Sequence, residues 1–190
     1  ERYRVNPEDL VTLDPALAEV GVLLEPTTIV AKAWQHTEAI GQRAFFAPKV
    51  AVITGAGPVG LLAALLATQR GLETHVFDIV KDGPKPELVG ELGATYHSES
   101  LTDSGVLGDV LIECTGVPSV VMETITKHGL DAVTCLTGVS STGKRMPVDV
   151  GAANREAVLG NDVVFGSVNA NRSHYEDAAK ALTAADKSWL

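Results

Sequence analysis

Residues Gly55-Ala-Gly57-Pro-Val-Gly60 constrain this chain more than any other stretch. A G-x-G-x-x-G spacing alone is weak, because glycine turns also serve plain packing. Here it follows a short apolar run, residues 50–54, and opens a Leu- and Ala-rich segment, residues 58–70, that stops at Gly71. Continuous apolarity over a few residues predicts a strand covered on both faces. Proline in the first turn and glycine just past the end predict a helix. A strand, a glycine turn and a helix in that order form a phosphate cradle. Gly55 makes the tight turn, Gly57 lets backbone approach a pyrophosphate, and Gly60 lets the helix pack close to the sheet. The helix start then offers free N–H groups and a positive dipole. Pro58 has no N–H, so the amide of Val59 carries much of that contact.

The rest of the chain alternates strand and helix signals. Strands are predicted at 74–78, 94–97, 109–114, 132–136 and 162–168. Between them come a turn cluster at 82–86, a short helix at 87–92, helices at 118–128 and 152–159, a loop at 137–144, and an Ala-rich helix at 173–185. Six strands alternating with helices mean an α/β fold with a parallel sheet covered on both sides. Right-handed crossovers make it a doubly wound parallel six-stranded sheet of Rossmann type, in the order 3-2-1-4-5-6, with a ligand crevice between strands 1 and 4. Residues 1–49 do not fit this unit. Residues 1–25 read as the tail of a preceding domain. A connecting helix, from Pro26 to about residue 40 and packed on the sheet edge, occupies 26–49. Residues 50–190 form the dinucleotide-binding domain.

Charge and composition remove several classes of partner. A net charge of −9 over 190 residues argues against a nucleic-acid partner, which would want a basic face. The longest apolar run, residues 59–67, is too short to span a bilayer, so no membrane role is expected. The N-terminal residues are polar and unlike a signal peptide. Cys114 and Cys135 sit in apolar runs, which predicts two buried thiols in a reducing cytoplasm. No Cys or His spacing suits a metal, and the five histidines form no relay.

Other candidate site residues follow from strand ends, because ligands in such sheets meet the carboxyl ends of the strands. Asp78 lies 18 residues after Gly60 at the tip of strand 2. A carboxylate there can accept both ribose hydroxyls of an adenosine and would repel a 2′-phosphate; the plainer reading is a solvated strand end. Lys81 is near enough to meet a phosphate, or is simply a loop lysine. Thr115 and Gly116 end strand 4, and Leu136 and Gly138 belong to the end of strand 5. Asn169, after strand 6, can hydrogen-bond a nicotinamide amide or a sugar hydroxyl. It also suits a turn that needs left-handed geometry.

Several stretches together resemble the glucose dehydrogenase branch of the medium-chain dehydrogenase/reductase superfamily. They are Leu23-Leu-Glu-Pro26, Ala31-Lys-Ala-Trp34, Gly55-Ala-Gly-Pro-Val-Gly-Leu-Leu62, Asp82-Gly-Pro-Lys-Pro86, Leu92-Gly-Ala-Thr-Tyr96, Ile112-Glu-Cys-Thr-Gly116, Leu136-Thr-Gly-Val-Ser140 and Gly166-Ser-Val-Asn-Ala-Asn171. The resemblance implies hydride transfer from an aldose to NAD or NADP, with zinc in the full-length protein and its main ligands outside this chain. It implies that Glu25, in the Leu-Glu-Pro motif, lies near that metal as a catalytic and metal-site residue. From the residues alone, Glu25 is equally a helix-start carboxylate suited to the dipole. Relatives often carry arginine after the strand-2 acid, whereas Ile79 stands here, which favours NAD. The resemblance also implies a homo-oligomer formed through the sheet edge. Another zinc alcohol or polyol dehydrogenase, and a non-catalytic NAD-sensing module, remain alternatives.

Overall fold

A computed structural model describes residues 4–143 and 145–190. Residues 1–3 and Lys144, the last residue of the expected loop 137–144, lie outside the described residues. The sheet has six parallel strands, β1 (Val50–Thr54), β2 (Glu73–Phe77), β3 (Thr95–His97), β4 (Val110–Glu113), β5 (Val133–Leu136) and β6 (Val163–Gly166). Their order is β3-β2-β1-β4-β5-β6, as the alternation of elements predicts. The helices are α1 (Leu24–Gly41), α2 (Pro58–Gln69), α3 (Pro84–Glu91), α4 (Leu101–Ser104), α5 (Pro118–Thr126), α6 (Val150–Gly160) and α7 (Arg172–Ala184).

The central strands are apolar throughout because both their faces are covered. Ala51 and Ile53 of β1, with Val110 and Ile112 of β4, join one fully buried cluster with residues of α1, α2 and α7. Val52 and Leu111 point the other way and meet Phe77, Leu101 and Ala132. Each such burial contributes about 1.5–3 kcal/mol for a side chain of this size. Inverting the register by one residue would exchange the two clusters, so the pairing is tightly specified.

Three local readings are corrected. The helix expected at 26–40 begins two residues earlier, and it lies against α2, α7 and β5 rather than on the sheet edge. Trp34 and Val30 anchor it in the main core. The turn cluster at 82–86 is in fact the start of α3: Gly83 turns the chain at φ 96°, and Pro84 opens the helix. Two prolines in a first turn cost little, since N–H groups there have no intrahelical partner anyway. The short α4 was not foreseen; the Ser100 hydroxyl caps it by accepting from the Asp103 N–H at 3.1 Å.

Candidate dinucleotide-binding crevice

The glycine turn takes the geometry its spacing implies. Gly55 has φ 91°, a conformation costly for any side chain. A Cβ on Gly60 would collide with the carbonyl oxygen of Gly55, so only glycine lets α2 pack this close. Beside Gly57, in contrast, a Cβ would meet no protein atom within 4 Å. Nothing in the folded chain requires glycine there, and the open space is what a backbone-hugging pyrophosphate needs. Pro58 is the first residue of α2, and among the described residues no side chain caps its start. The N–H groups of the first turn, including that of Val59, are therefore the donors on offer.

Asp78 stands directly after β2 and is tied to that turn. Its Oδ2 accepts from the Ala56 N–H at 2.8 Å, and its Oδ1 from the Val80 N–H at 3.1 Å. The same Oδ2 is 2.7 Å from the Lys85 ammonium, which α3 aims back across the turn. Burial works against the charge, but the Lys85 contact and the two N–H donors outweigh it and hold the carboxyl below its usual range. The Tyr96 hydroxyl fastens the same loop by donating to the Val80 carbonyl.

These groups rim a cleft of about 550 Å³ at the carboxyl ends of β1, β2 and β4, lined by Gly55, Asp78, Lys85 and Thr115 among others. Gly116 and Gly138 belong to loops packed against each other beside it: a Cβ on Gly138 would collide with the Gly116 nitrogen. Leu136 is half-buried at the end of β5. Asn169 adopts φ 58° and is exposed beyond β6, so its backbone meets the left-handed reading, and its side chain is free to face a ligand. Lys81 is exposed and does not line the cleft. Glu25 is exposed in the first turn of α1 rather than ahead of the helix.

Two residues escaped the sequence reading. Lys85 was visible inside Asp-Gly-Pro-Lys-Pro, but reading 82–86 as a turn hid the helix that directs it to Asp78. Glu113, in Glu-Cys-Thr-Gly, is fully buried at the end of β4. An acid closing an otherwise apolar strand was its one available signal.

The model of the glucose dehydrogenase C-terminus matches residues 18–190. The chain belongs to this family. Members similar to it include a glucose 1-dehydrogenase of Methanocella arvoryzae, 32% identical over 100% of the chain and 55% of the relative. A glucose 1-dehydrogenase of Vulcanisaeta moutnovskia is 36% identical over 91% of the chain and 50% of the relative. Among solved structures, the glucose dehydrogenase of Haloferax mediterranei in complex with NADP, Zn and gluconolactone superposes with a TM-score of 0.88. It is 31% identical, over 97% of this chain and 55% of that one. The chain thus spans about half the length of the curated relatives it matches. The doubly wound fold of the glucose dehydrogenase C-terminus is the one derived above.

Proposed function

We propose that this chain is the cofactor-binding domain of a zinc-type glucose 1-dehydrogenase, in which hydride passes from C1 of an aldose to NAD or NADP. One observation carries the reading. The Asp78 carboxylate is bonded to the Ala56 N–H within the glycine turn, next to the open space at Gly57 and on the rim of a cleft between β1 and β4. That arrangement suits a ribose at the carboxylate and a pyrophosphate at the start of α2. The nicotinamide, when bound, supplies the hydride acceptor. Thr115 then lines the cleft beside Asp78, and Gly116, Leu136, Gly138 and Asn169 flank the crevice toward the nicotinamide. The match to glucose 1-dehydrogenases makes a sugar the preferred substrate over other alcohols.

The residues present do not build a zinc site by themselves. Among the described residues, no group of three or more His, Cys, Asp or Glu side chains could hold a metal ion. The one contribution assigned toward zinc is the exposed carboxylate of Glu25. No described helix is long and apolar enough to cross a membrane, and we place the protein in the cytoplasm, where two unpaired thiols persist. A second copy is expected along the open edge of β6, where Val164 is 39% exposed.

Calorimetric titration with NAD and NADP tests the domain reading, which fails if neither binds. Reduction of cofactor by glucose, in the full-length protein carrying this domain, tests the sugar reading. Activity on simple alcohols but not on glucose, galactose or xylose would replace it with a general alcohol dehydrogenase.

A further inference from the structure

Glu123 lines the same cleft as Gly55 and Asp78, together with Ser119 and Val120 of the same helix. The seat of α5 puts it there. Thr124, the next residue, is fully buried, and its carbonyl accepts from the Thr134 hydroxyl of β5 at 3.4 Å. That contact holds one side of α5 on the sheet. Ser119 and Glu123, four residues apart, share the face that is left toward the cleft.

The glutamate has no partner within the chain. Lys127 follows it at the i,i+4 spacing that pairs a glutamate with a lysine on a helix. But α5 ends at Thr126, and Lys127 sits at φ −123° and ψ 85°, outside helical geometry. It lines a separate groove with Met122 and Thr126 instead. Among the described residues, the half-buried Glu123 carboxylate forms no ion pair.

The surroundings narrow what it can meet. Phe77, Leu101, Val117 and Val120 line the cleft too, and Phe77 and Leu101 are buried. Apolar walls with a few polar groups suit a flat ring that carries a hydrogen-bonding edge. On the dinucleotide reading, Asp78 and the glycine turn take the ribose and the pyrophosphate. The base on that ribose then has the remainder of the cleft, toward Leu101 and α5, to occupy. A carboxylate there is an acceptor only, whereas the Ser119 hydroxyl can donate or accept and so discriminates nothing. Adenine presents its 6-amino group as a donor.

We propose that Glu123 is a specificity-determining residue for the base, accepting a hydrogen bond from the 6-amino group of adenine. This rests on the dinucleotide reading above.

The test is calorimetric titration of the chain with AMP and with purine riboside 5′-monophosphate, the same nucleotide with hydrogen in place of the 6-amino group. The unmodified chain is expected to bind AMP about tenfold more tightly, the worth of one hydrogen bond to a charged group. In Glu123→Ala, which keeps a strong helix former in α5, AMP should weaken to the level of the analogue while the analogue binds as before. Glu123→Gln retains an acceptor oxygen and should keep part of the preference. Equal affinity of the unmodified chain for the two nucleotides would overturn the proposal. So would a preference that survives in Glu123→Ala, or equal losses of both nucleotides in that variant, which would mark a merely structural role. Binding of NAD but of neither monophosphate would overturn it as well, because a base read by the protein carries affinity of its own. Failure to bind NAD and AMP alike would instead overturn the dinucleotide reading.

Discussion

Replacing Lys85 by methionine should make the domain discriminate against NADP without weakening NAD. The Lys85 ammonium sits 2.7 Å from Asp78 Oδ2, and the aspartate side chain is 9% exposed against 34% for the lysine. A phosphate taken at roughly 5 Å from each group sets the scale of the effect. At that distance a unit charge pair is worth about 1 kcal/mol in water and about 3 kcal/mol at an effective dielectric of about 20. Repulsion from Asp78 and attraction to Lys85 therefore nearly cancel, and the unmodified chain should prefer NAD by no more than about tenfold. The lysine is one-third exposed, so the lower part of the range applies. Its loss should cost NADP about 1–2 kcal/mol, or about 5- to 30-fold in Kd. NAD carries no 2′-phosphate and should bind the variant as before, since the Ala56 and Val80 N–H groups still hold the carboxylate. Asp78→Asn should do the reverse, weakening NAD and inverting the preference. Because the Asp78 carboxyl is held below its usual range, it stays ionised from pH 7 down to about 5, and its contribution to the preference should not relax over that interval. Calorimetric titration with both cofactors reads these effects. Equal losses of NAD and NADP in Lys85→Met, or none in either, would show that the lysine does not reach the ribose.

Glu25→Ala in the full-length protein should lower turnover more than it changes cofactor affinity; unchanged turnover with an unchanged pH profile would leave Glu25 as a helix-start carboxylate only. Asn169→Ala puts a side chain that resists left-handed geometry at φ 58°, whereas Asn169→Gly relieves it, so equal losses of cofactor affinity in both would show a binding side chain, and loss in the alanine variant alone would show a turn residue. His174 has its basicity lowered by burial and by neighbouring Lys32 and His36, with Asp177 opposing. Its unfolded form then binds protons more readily, so this contribution to stability is complete above about pH 6.5 and is lost as pH falls toward the lower folded value, at up to about 1.4 kcal/mol per pH unit. His174→Gln should flatten that slope in thermal melts between pH 7 and 5, and an unchanged slope would assign it to other groups.

The parts legible in the sequence were those fixed by short-range rules. Strand, glycine turn and helix around Gly55 to Gly60 follow from sterics within a few residues, and Asp78 follows from strand length. The strand order came from the alternation of elements with right-handed crossovers, which needs no side-chain detail. The helix α1 is a partial case: its start near Pro26 and its extent were readable, but its seat against α2, α7 and β5 depends on Trp34 finding a core that only the assembled sheet provides.

Lys85 and Glu113 were harder for a common reason. Each matters through a partner brought to it by chain direction rather than by spacing. Lys85 meets Asp78 because Gly83 turns the chain at φ 96° and Pro84 starts a helix at once, a geometry that the same residues disguise as a loop. Glu113 meets its donors only because β4 ends where the next two peptides curl back over its carboxylate. Composition registers it as one acid among many; burial turns it into a constraint on two peptides. Asp78 unites both kinds of information: its place after β2 was readable, but its bonds to Ala56 and Lys85 were not. On the proposed reading, the pairing with Lys85 would change the carboxylate from an outright repeller of a 2′-phosphate to one half of a balanced pair. On that reading, cofactor choice in this domain would turn on whether Lys85 stays on the aspartate or moves to an incoming phosphate, a difference that no single residue near Asp78 reveals.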